Sequence, residues 1–442
     1  MYILIDSYNL SLKKGTGVAN YGRNLASTLS LAGYEVGIVF PYKTKNKIKG
    51  DKNIKALLAT LELVSGNITE LSSRKSLIIL YLFQVLLNQY QIKDLQINQE
   101  LVVPQNPNSD LSKYRILCKN AIFQFAHIFF KLTNQLLPVK VPDDVDVVHW
   151  TYPIPIKAIN KPNIYTIHDL VPMRLPYTTL DDKKFYIKSM AKICKTASQI
   201  VAVSNNTKED LCNFFKISEQ KVFVSWQSST FDDLTPRSSL IENNLLKDYQ
   251  LHKKDYFIFI GNIEPKKNIK RLIQGYLMSR VFQKIIIVGA KAWKSEEELA
   301  QLDQIKQGQQ IGSKMEMANK VKLLEYLPKQ EIIPLLANAR ALIFPSLYEG
   351  FGLPVLEAMQ LGVPVLTSNT SSLPEVAGDA ALYVNPYSVE EISLGIHKLS
   401  IDNELCAELS QKGMARAKQF NIASYQERMI NFYESFLKNK KN

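Results

Sequence analysis

Two glutamates around a glycine-containing loop form the pattern with the clearest chemistry in this 442-residue sequence. An apolar run ending at Phe344 predicts a strand, residues 349–352 (Glu-Gly-Phe-Gly) predict a loop, and a helix is expected to begin near Leu353. The start of such a helix presents unpaired N–H groups and a positive dipole end, which favours an anion. Glu349 on the loop and Glu357 about one turn into the helix would flank it. A carboxylate and a phosphate repel each other, so two carboxylates beside a phosphate need a compensating interaction, and hydroxyl groups that donate hydrogen bonds to them supply it. The pattern therefore indicates a phosphate that carries sugar or ribose hydroxyls.

Two further candidate segments also follow predicted strands. His168 comes directly after the apolar run 164–167, and Lys266 and Lys267 follow the run 256–260. Ligands of parallel sheets bind at the carboxyl ends of the strands, so these side chains are placed to reach a common cleft. A histidine at the end of a strand is also compatible with a hydrogen-bonded core residue.

The segment from Glu349 to Glu357 resembles the E-x7-E signature of the retaining glycosyltransferase family 4, whose members have the GT-B arrangement of two Rossmann-like domains. The resemblance extends over nearly the whole chain except residues 43–140. Five further segments agree with it: residues 15–21 (GTGVANY), 166–169 (TIHD), 203–211 (VSNNTKEDL), 261–268 (GNIEPKKN) and 373–382 (LPEVAGDAAL).

The resemblance implies a role for each candidate residue. His168, Glu349 and Lys267 are the implied catalytic residues: His168 and Glu349 would contact the transferred sugar, and Lys267 would neutralise the departing diphosphate. Retention of the anomeric configuration is implied in the same way. The implied donor-binding residues are Gly17, Lys266, Lys267, Gly350, Phe351, Gly352, Leu353 and Glu357, with Glu357 on the ribose hydroxyls.

Two departures from the family pattern affect these expectations. Lys266 stands where many relatives carry arginine, and lysine lacks the bidentate fork that arginine offers to a diphosphate. We therefore expect Lys267 to supply most of the positive charge. The C-terminal segment 420–425 lacks a tryptophan that is common there.

The fold class expected is α/β: GT-B, with two doubly wound domains facing a central cleft. Residues 1–232 would form the N-terminal, acceptor-side domain, with an all-helical insertion at about 43–140. The polar segment 227–244 would be the linker. Residues 245–415 would form the domain that binds the nucleotide-sugar, and 416–442 a helix that crosses back to the first domain.

Composition and motifs exclude several other classes. The four cysteines lack metal-ligand or disulfide-framework spacing, which favours reduced thiols in a cytosolic protein. Asn20 stands where the third glycine of a dinucleotide-binding loop belongs, so NAD is not expected. Asp144 and Asp146 match a D-x-D metal motif, but they precede a predicted strand, away from the cleft. We therefore expect no cofactor and no metal, and no motif indicates binding to nucleic acid.

The net charge of +13 lies mostly in the first half of the chain. Residues 1–232 contain 28 Lys and Arg against 18 Asp and Glu, a net charge of +10, which leaves +3 for 233–442. Basic residues around the apolar runs 77–87 and 121–130 fit helices lying on an anionic membrane surface, and fit ordinary core helices equally well. Neither run is long enough to span a bilayer. We expect a cytoplasmic protein, with the inner face of the cell membrane as a candidate contact.

These observations favour a retaining hexosyltransferase of bacterial-type surface-polysaccharide synthesis. Its expected partners are a nucleotide-sugar donor, with UDP-glucose or another UDP-hexose preferred, and a glycan or lipid-linked saccharide acceptor. Three alternatives stay open. They are a GDP-mannose-dependent mannosyltransferase, a silent nucleotide-sugar-binding scaffold, and a hydrolysing sugar-nucleotide epimerase on the same fold.

Overall fold

Two parallel sheets organise the chain. The computed structural model describes residues 1–9, 17–41, 75–94, 113–229, 239–306, 320–325 and 327–441. The α/β class and the GT-B arrangement are confirmed.

The first sheet has eight strands in the order β10-β9-β8-β6-β1-β2-β4-β3, and all neighbours pair in parallel except β3 with β4. Strands β5 and β7 form a separate parallel pair. The bounds in this half are β1 (Tyr2–Asp6), α1 (Gly17–Leu31), β2 (Glu35–Phe40), α2 (Lys75–Leu86), β3 (Lys93–Asp94), β4 (Arg115–Cys118), α3 (Ile122–Thr133), β5 (Leu137–Val139), β6 (Val147–Trp150), β7 (Ile156–Ala158), β8 (Asn163–Ile167), α4 (Val171–Arg174), α5 (Lys183–Thr196), β9 (Gln199–Ala202), α6 (Asn205–Phe215) and β10 (Val222–Val224).

The second sheet has six parallel strands in the order β13-β12-β11-β14-β15-β16. Its central strands are buried apolar runs, as expected where helices cover both faces. The bounds in this half are α7 (Ser239–Asp248), β11 (Tyr256–Ile260), α8 (Ile269–Ser279), β12 (Lys284–Val288), α9 (Ser295–Lys306), β13 (Val321–Leu324), α10 (Lys329–Ala337), β14 (Ala341–Phe344), α11 (Leu353–Gln360), β15 (Val365–Ser368), α12 (Leu373–Ala377), β16 (Leu382–Val384), α13 (Val389–Ile401), α14 (Asn403–Ala417) and α15 (Ile422–Lys441).

The expectation of an all-helical insertion at 43–140 is wrong. Residues 115–118 form β4, which pairs in parallel with β2 and extends the first sheet, while Ile116 and Leu117 are buried. Pairing with the neighbouring strand overrides a weak local pattern here, because four residues are too few to show a clear period. The parts of the insertion at 43–74 and 95–112 lie outside the described residues.

The apolar run 77–87 forms most of helix α2, and several of its side chains are exposed with respect to the described part of the chain. Ile79, Phe83 and Leu86 are 63%, 61% and 78% exposed. No described helix is long and apolar enough to cross a membrane. The expected contact with an anionic membrane surface stays a prediction.

Asp144 and Asp146 lie at the amino ends of the strands, opposite the edge where the cleft lies. Asp146 accepts a hydrogen bond of 2.9 Å from the backbone N–H of Tyr2, and Asp144 pairs with Arg115. Both carboxylates therefore have structural partners. Among the described residues, no three His, Cys, Asp or Glu side chains form a group that could hold a metal ion.

Helix α15 packs on the first sheet's side of the molecule through a buried polar chain. The Tyr433 hydroxyl bonds to Nδ1 of His149, whose Nε2 lies 2.7 Å from the hydroxyl oxygen of Thr166. Thr166 in turn lies 2.8 Å from the hydroxyl of Tyr21 on α1. Burial lowers the pKa of His149 to about 3, so the ring is neutral. The C-terminal helix thus supplies a hydrogen-bond partner to the buried His149 in the middle of the first sheet.

Removing the Tyr433 hydroxyl should destabilise the protein. The Tyr433→Phe substitution leaves Nδ1 of His149 buried without a partner, which costs about 1–3 kcal/mol of unfolding free energy. The measurement is the midpoint of urea unfolding. Tyr90→Phe is the matched control, because the buried Tyr90 hydroxyl has no hydrogen-bond partner among the described residues. An equal loss of stability in both variants would contradict the assignment.

Candidate functional site

The loop between β14 and α11 carries the predicted anion site. Gly352 caps α11 with a φ of 113°, a left-handed conformation that favours glycine, and Pro354 occupies the first turn. No side chain caps the helix. Pro354 has no N–H and the Val355 N–H donates to the Gly352 carbonyl at 3.0 Å, so Leu353 carries the first-turn N–H that has no partner among the described residues. The helix begins at Leu353, where the sequence predicts it.

Two serines that sequence reasoning did not single out hold this loop. The Ser371 hydroxyl accepts the backbone N–H of Glu349 at 3.0 Å. The Ser372 hydroxyl lies 2.9 Å from the carbonyl oxygen of Glu349 and 2.8 Å from that of Phe351. Their position just before the predicted turn 373–382 is the one sequence signal that could have indicated them.

Lys267 and Glu349 form a nearly buried ion pair. Their charged atoms lie 2.6 Å apart, and the two side chains are 12% and 10% exposed. Burial alone would raise the pKa of Glu349, but Lys267 and Lys266 outweigh that effect and lower it. Glu349 is therefore ionised, and the pair holds the Lys267 amino group and a carboxylate that can accept hydroxyl hydrogen bonds side by side.

Lys266 points to different partners from its neighbour. Its ammonium lies 3.7 Å from Glu264 and 4.0 Å from Asp169, which follows β8 in the other half of the molecule. Burial alone would lower the pKa of Lys266, but the carboxylates of Asp169, Glu349 and Glu264 raise it overall. Lys266 therefore keeps its charge and links the two sides of the cleft.

Asn268 fixes the position of the loop that carries the two lysines. It adopts a left-handed conformation with a φ of 62°, which asparagine tolerates better than most residues. Its buried side-chain amide donates to the carbonyl oxygens of Pro345 at 2.9 Å and Pro386 at 2.7 Å. This residue joins the lysine loop to the loop that carries Glu349.

His168 is 8% exposed and both of its ring nitrogens have protein partners. Nε2 lies 3.0 Å from the carbonyl oxygen of Thr151, and Nδ1 lies 3.3 Å from Nε2 of Gln227. Burial lowers the pKa of His168 despite opposing effects of the Thr151 carbonyl and Asp169. The imidazole is therefore neutral, with Nε2–H donating to Thr151. The partner Gln227 belongs to the predicted linker, but it is packed within the fold.

Gly350 touches the backbone of His168 across the cleft. A Cβ atom built on Gly350 would lie 2.1 Å from the carbonyl oxygen of His168, far inside any real contact. Only glycine fits this position while the two halves are this close. Gly350 is one of the residues expected to bind the donor, and its contact with His168 is a separate, steric reason for a glycine at this position.

Glu357 lies on α11 near Lys329, at the start of α10. Burial raises the pKa of Glu357 to about 7, and the nearby Lys329 lowers it only in part. Gly17 is the first residue of α1, and the residues before it lie outside the described part of the chain. Burial lowers the pKa of Lys329, and Arg23 on α1 adds to that lowering, so α1 approaches the Glu357 side of the cleft.

Two further links across the cleft were not foreseen. The Glu375 carboxylate accepts the backbone N–H of Asn205 at 2.7 Å and that of Asn206 at 3.2 Å, at the N-terminus of α6. The Tyr348 hydroxyl donates to Asp210 at 2.6 Å, and Asp210 also pairs with Arg174. These contacts hold the second half against the first at two points beside the site.

Known families match both halves of the chain. Residues 242–416 match the profile described as "Glycosyl transferases group 1", and residues 102–225 match "Glycosyltransferase Family 4". Among curated proteins, the O-antigen chain mannosyltransferase B of Escherichia coli is 33% identical over 276 residues, which cover 61% of this chain and 70% of that protein. The serotype-specific mannosyltransferase WbdA of Escherichia coli is 29% identical over 64% of this chain and 36% of its own length.

A solved structure supports the fold. The Anabaena protein Alr3699/HepE in complex with UDP-glucose superposes with a TM-score of 0.64 and covers 98% of this chain and 100% of its own, at 14% sequence identity. At that identity the likeness establishes the shared architecture alone.

Enlarging Gly350 should open the cleft. The methyl group of the Gly350→Ala variant cannot fit against the His168 carbonyl, so the halves must separate. We expect a larger radius of gyration in small-angle X-ray scattering and a loss of activity of about 10²-fold, the effect of misplacing reacting groups by about 1 Å. Gly33→Ala, in the turn before β2, is the control, because a Cβ there meets no atom within 4 Å and adds only the backbone strain of a positive φ. An unchanged radius with full activity would refute the steric assignment.

The raised pKa of Glu357 predicts a pH-dependent affinity for a nucleoside diphosphate. Hydroxyl groups bind better to the carboxylate than to the carboxylic acid, and a pKa of about 7 means that the carboxylate forms as the pH rises through neutrality. Affinity for GDP or UDP should therefore rise between about pH 6 and pH 8 and then level off. In the Glu357→Gln variant this rise in affinity with pH should be missing. Identical pH profiles of the dissociation constant for the two proteins, measured by titration calorimetry, would count against the role.

Proposed function

We propose that this protein transfers mannose from a nucleotide-activated donor to a growing surface polysaccharide. The proposal starts from its family: the chain belongs to glycosyltransferase family 4 (glycosyl transferases group 1) and is a glycosyltransferase. The curated relatives carry the proposal for the sugar: mannosyltransferase B is an O-antigen chain enzyme by name, and WbdA is named a serotype-specific mannosyltransferase. We place GDP-mannose ahead of the UDP-hexose that the sequence analysis preferred. The UDP-hexose preference stays an untested alternative.

The observation that carries the site assignment is the Lys267–Glu349 pair beside the open end of α11. In the transfer step the bond between the anomeric carbon and the diphosphate oxygen breaks, and negative charge grows on the leaving group. Lys267, Lys266 and the Leu353 N–H at the start of α11 would stabilise that charge, which is where such interactions accelerate a reaction most. Glu349 would bind the hydroxyls of the sugar.

The new bond forms between the anomeric carbon and a hydroxyl oxygen of the acceptor, with retention of configuration. The proton of that hydroxyl passes to the departing phosphate oxygen, which then leaves as part of the nucleoside diphosphate. His168 is unsuited to remove this proton, because its pKa is lowered and both ring nitrogens are engaged. Because neither ring nitrogen is free to bind a sugar hydroxyl, we assign His168 a steric role in the wall of the cleft. No residue of the cleft is needed as a covalent nucleophile in this scheme.

The first experiment is a thermal-shift panel of GDP, UDP, ADP and NAD without added metal. A ligand that binds the native state raises the melting temperature by mass action. We expect GDP to give the largest shift and GDP-mannose to be turned over faster than UDP-glucose. A shift by UDP alone would replace the donor assignment, and a shift by NAD alone would overturn the function.

Two variants test the site within the same assay. Lys267→Ala should reduce the nucleotide-induced shift, and Glu349→Ala should abolish transfer while the protein stays folded. The exposed Lys398 on α13 supplies a control substitution, Lys398→Ala, which removes one positive charge from the same half of the chain far from the cleft. Full transfer in Glu349→Ala would refute the site assignment.

A further inference from the structure

Helix α6 lies where the two halves of the molecule meet. It contains most of the motif 203–211, none of whose residues is among the candidate catalytic or donor-binding groups. Two side chains of the second half bond to it: Glu375 at its first turn and Tyr348 at Asp210. Tyr348 directly precedes Glu349, and Glu375 belongs to the segment that holds the Glu349 loop. Helix α6 is therefore placed to determine where Glu349 lies relative to the first half.

The first turn of α6 is completed by a residue of the other half. Ser204 caps the helix by accepting the backbone N–H of Thr207 at 3.1 Å. The N–H groups of Asn205 and Asn206 still need partners. The Glu375 carboxylate accepts both, at 2.7 and 3.2 Å, in a position that the helix dipole also favours. Glu375 therefore fixes α12 to α6 with both of its oxygens.

Two serines connect α12 to the loop that carries Glu349. They directly precede the helix, and Ser372 is its N-cap residue. The Ser371 hydroxyl accepts the Glu349 N–H at 3.0 Å, and the Ser372 hydroxyl lies 2.9 Å from the Glu349 carbonyl oxygen. A shift of α12 on α6 would therefore reach both backbone groups of Glu349 through two hydrogen bonds.

Tyr348 attaches the same loop to α6 at a second point. Its hydroxyl donates to one carboxylate oxygen of Asp210 at 2.6 Å. Arg174, also in the first half, donates to the other oxygen through two of its nitrogens, and Asp210 is only 1% exposed. Charge-assisted bonds of this kind fix the geometry of a carboxylate as well as compensating its charge. Tyr348 thus meets a partner that is itself held in place.

We propose that Glu375 and Tyr348 are positioning residues of the transfer reaction. Together they hold the Glu349 loop against α6, and so set where the Glu349 carboxylate stands relative to the first half of the cleft. Each acts through Glu349 and has no role at the reacting atoms. The inference rests on the proposed function, because it takes Glu349 as the group that binds the sugar hydroxyls. Misplacing such a group by about 1 Å can cost about 10²-fold in rate.

Amide hydrogen exchange on the protein without ligand tests the link between α6 and Glu349. In the Glu375→Ala variant the Glu349 N–H should exchange about tenfold faster, the effect of weakening one hydrogen bond, because the Ser371 hydroxyl is no longer fixed to α6. Asp402→Ala is the matched control, since the Asp402 carboxylate accepts the Leu405 N–H at 2.8 Å at the start of α14, within the second half. Unchanged exchange at Glu349 in Glu375→Ala would overturn the proposal. No donor is present, so this result is independent of the sugar transferred.

Kinetics separate positioning from a purely structural role. Glu375→Ala and Tyr348→Phe should each lower kcat by about 10- to 100-fold. The donor is whichever of GDP-mannose and UDP-glucose the wild-type protein turns over faster. The dissociation constant of the matching nucleoside diphosphate should stay within about twofold, because a positioning defect affects turnover rather than uniform binding. Glu375→Gln should recover part of the loss, since its amide oxygen can still accept a helix N–H.

Tyr256→Phe is the control for Tyr348→Phe. The Tyr256 hydroxyl donates to the Leu335 carbonyl oxygen at 2.5 Å, and Tyr256 is the first residue of β11, at the end of the sheet opposite the cleft. The kcat of Tyr256→Phe and of Asp402→Ala should equal that of the wild type. An unchanged kcat in Glu375→Ala or Tyr348→Phe, or an equal fall in the two controls, would overturn the proposal.

Discussion

The contact between Gly350 and the carbonyl oxygen of His168 is the constraint on which the site depends. It brings the loop before α11 against the end of β8, so that groups from two separate sheets share one cleft. A side chain at position 350 would force the halves apart, because its Cβ would meet the His168 backbone at 2.1 Å. The steric requirement at Gly350 therefore falls on the residue next to Glu349, to which the proposed function assigns the hydroxyls of the sugar.

Charge in the cleft is divided between two adjacent lysines. Lys267 pairs with Glu349 inside its own half, and Lys266 reaches toward Asp169 in the other half. A short helical turn capped by the left-handed Asn268 sends the two side chains in different directions. As a result the Lys267 ammonium lies beside the Glu349 carboxylate, whereas the Lys266 ammonium lies between the carboxylates of Glu264 and Asp169.

The halves are held together by polar contacts beside the cleft as well as by packing. Glu375 places a carboxylate at the positive end of α6, where helix N–H groups lack partners. Tyr348 reaches Asp210, and the apolar residues Val171, Leu175 and Leu347 pack around it. One cluster of buried apolar side chains also continues from the first sheet through α15 into the second half, so packing joins the halves as well.

The sequence alone determined the fold class and the local structure around Glu349, because parallel strands are short apolar runs and a Gly-Leu-Pro segment favours the start of a helix. The family followed from the resemblance of its motifs. The sequence missed β4, whose four residues become a strand only by pairing with β2. It also missed the roles of Ser371, Asn268 and Glu375. Their partners are distant in sequence, and a periodic pattern carries no information about which distant residues meet. Tertiary structure alone decided that Lys266 and Lys267 diverge, that His168 is engaged at both nitrogens, and that position 350 must be glycine, because each depends on how closely two sheets approach.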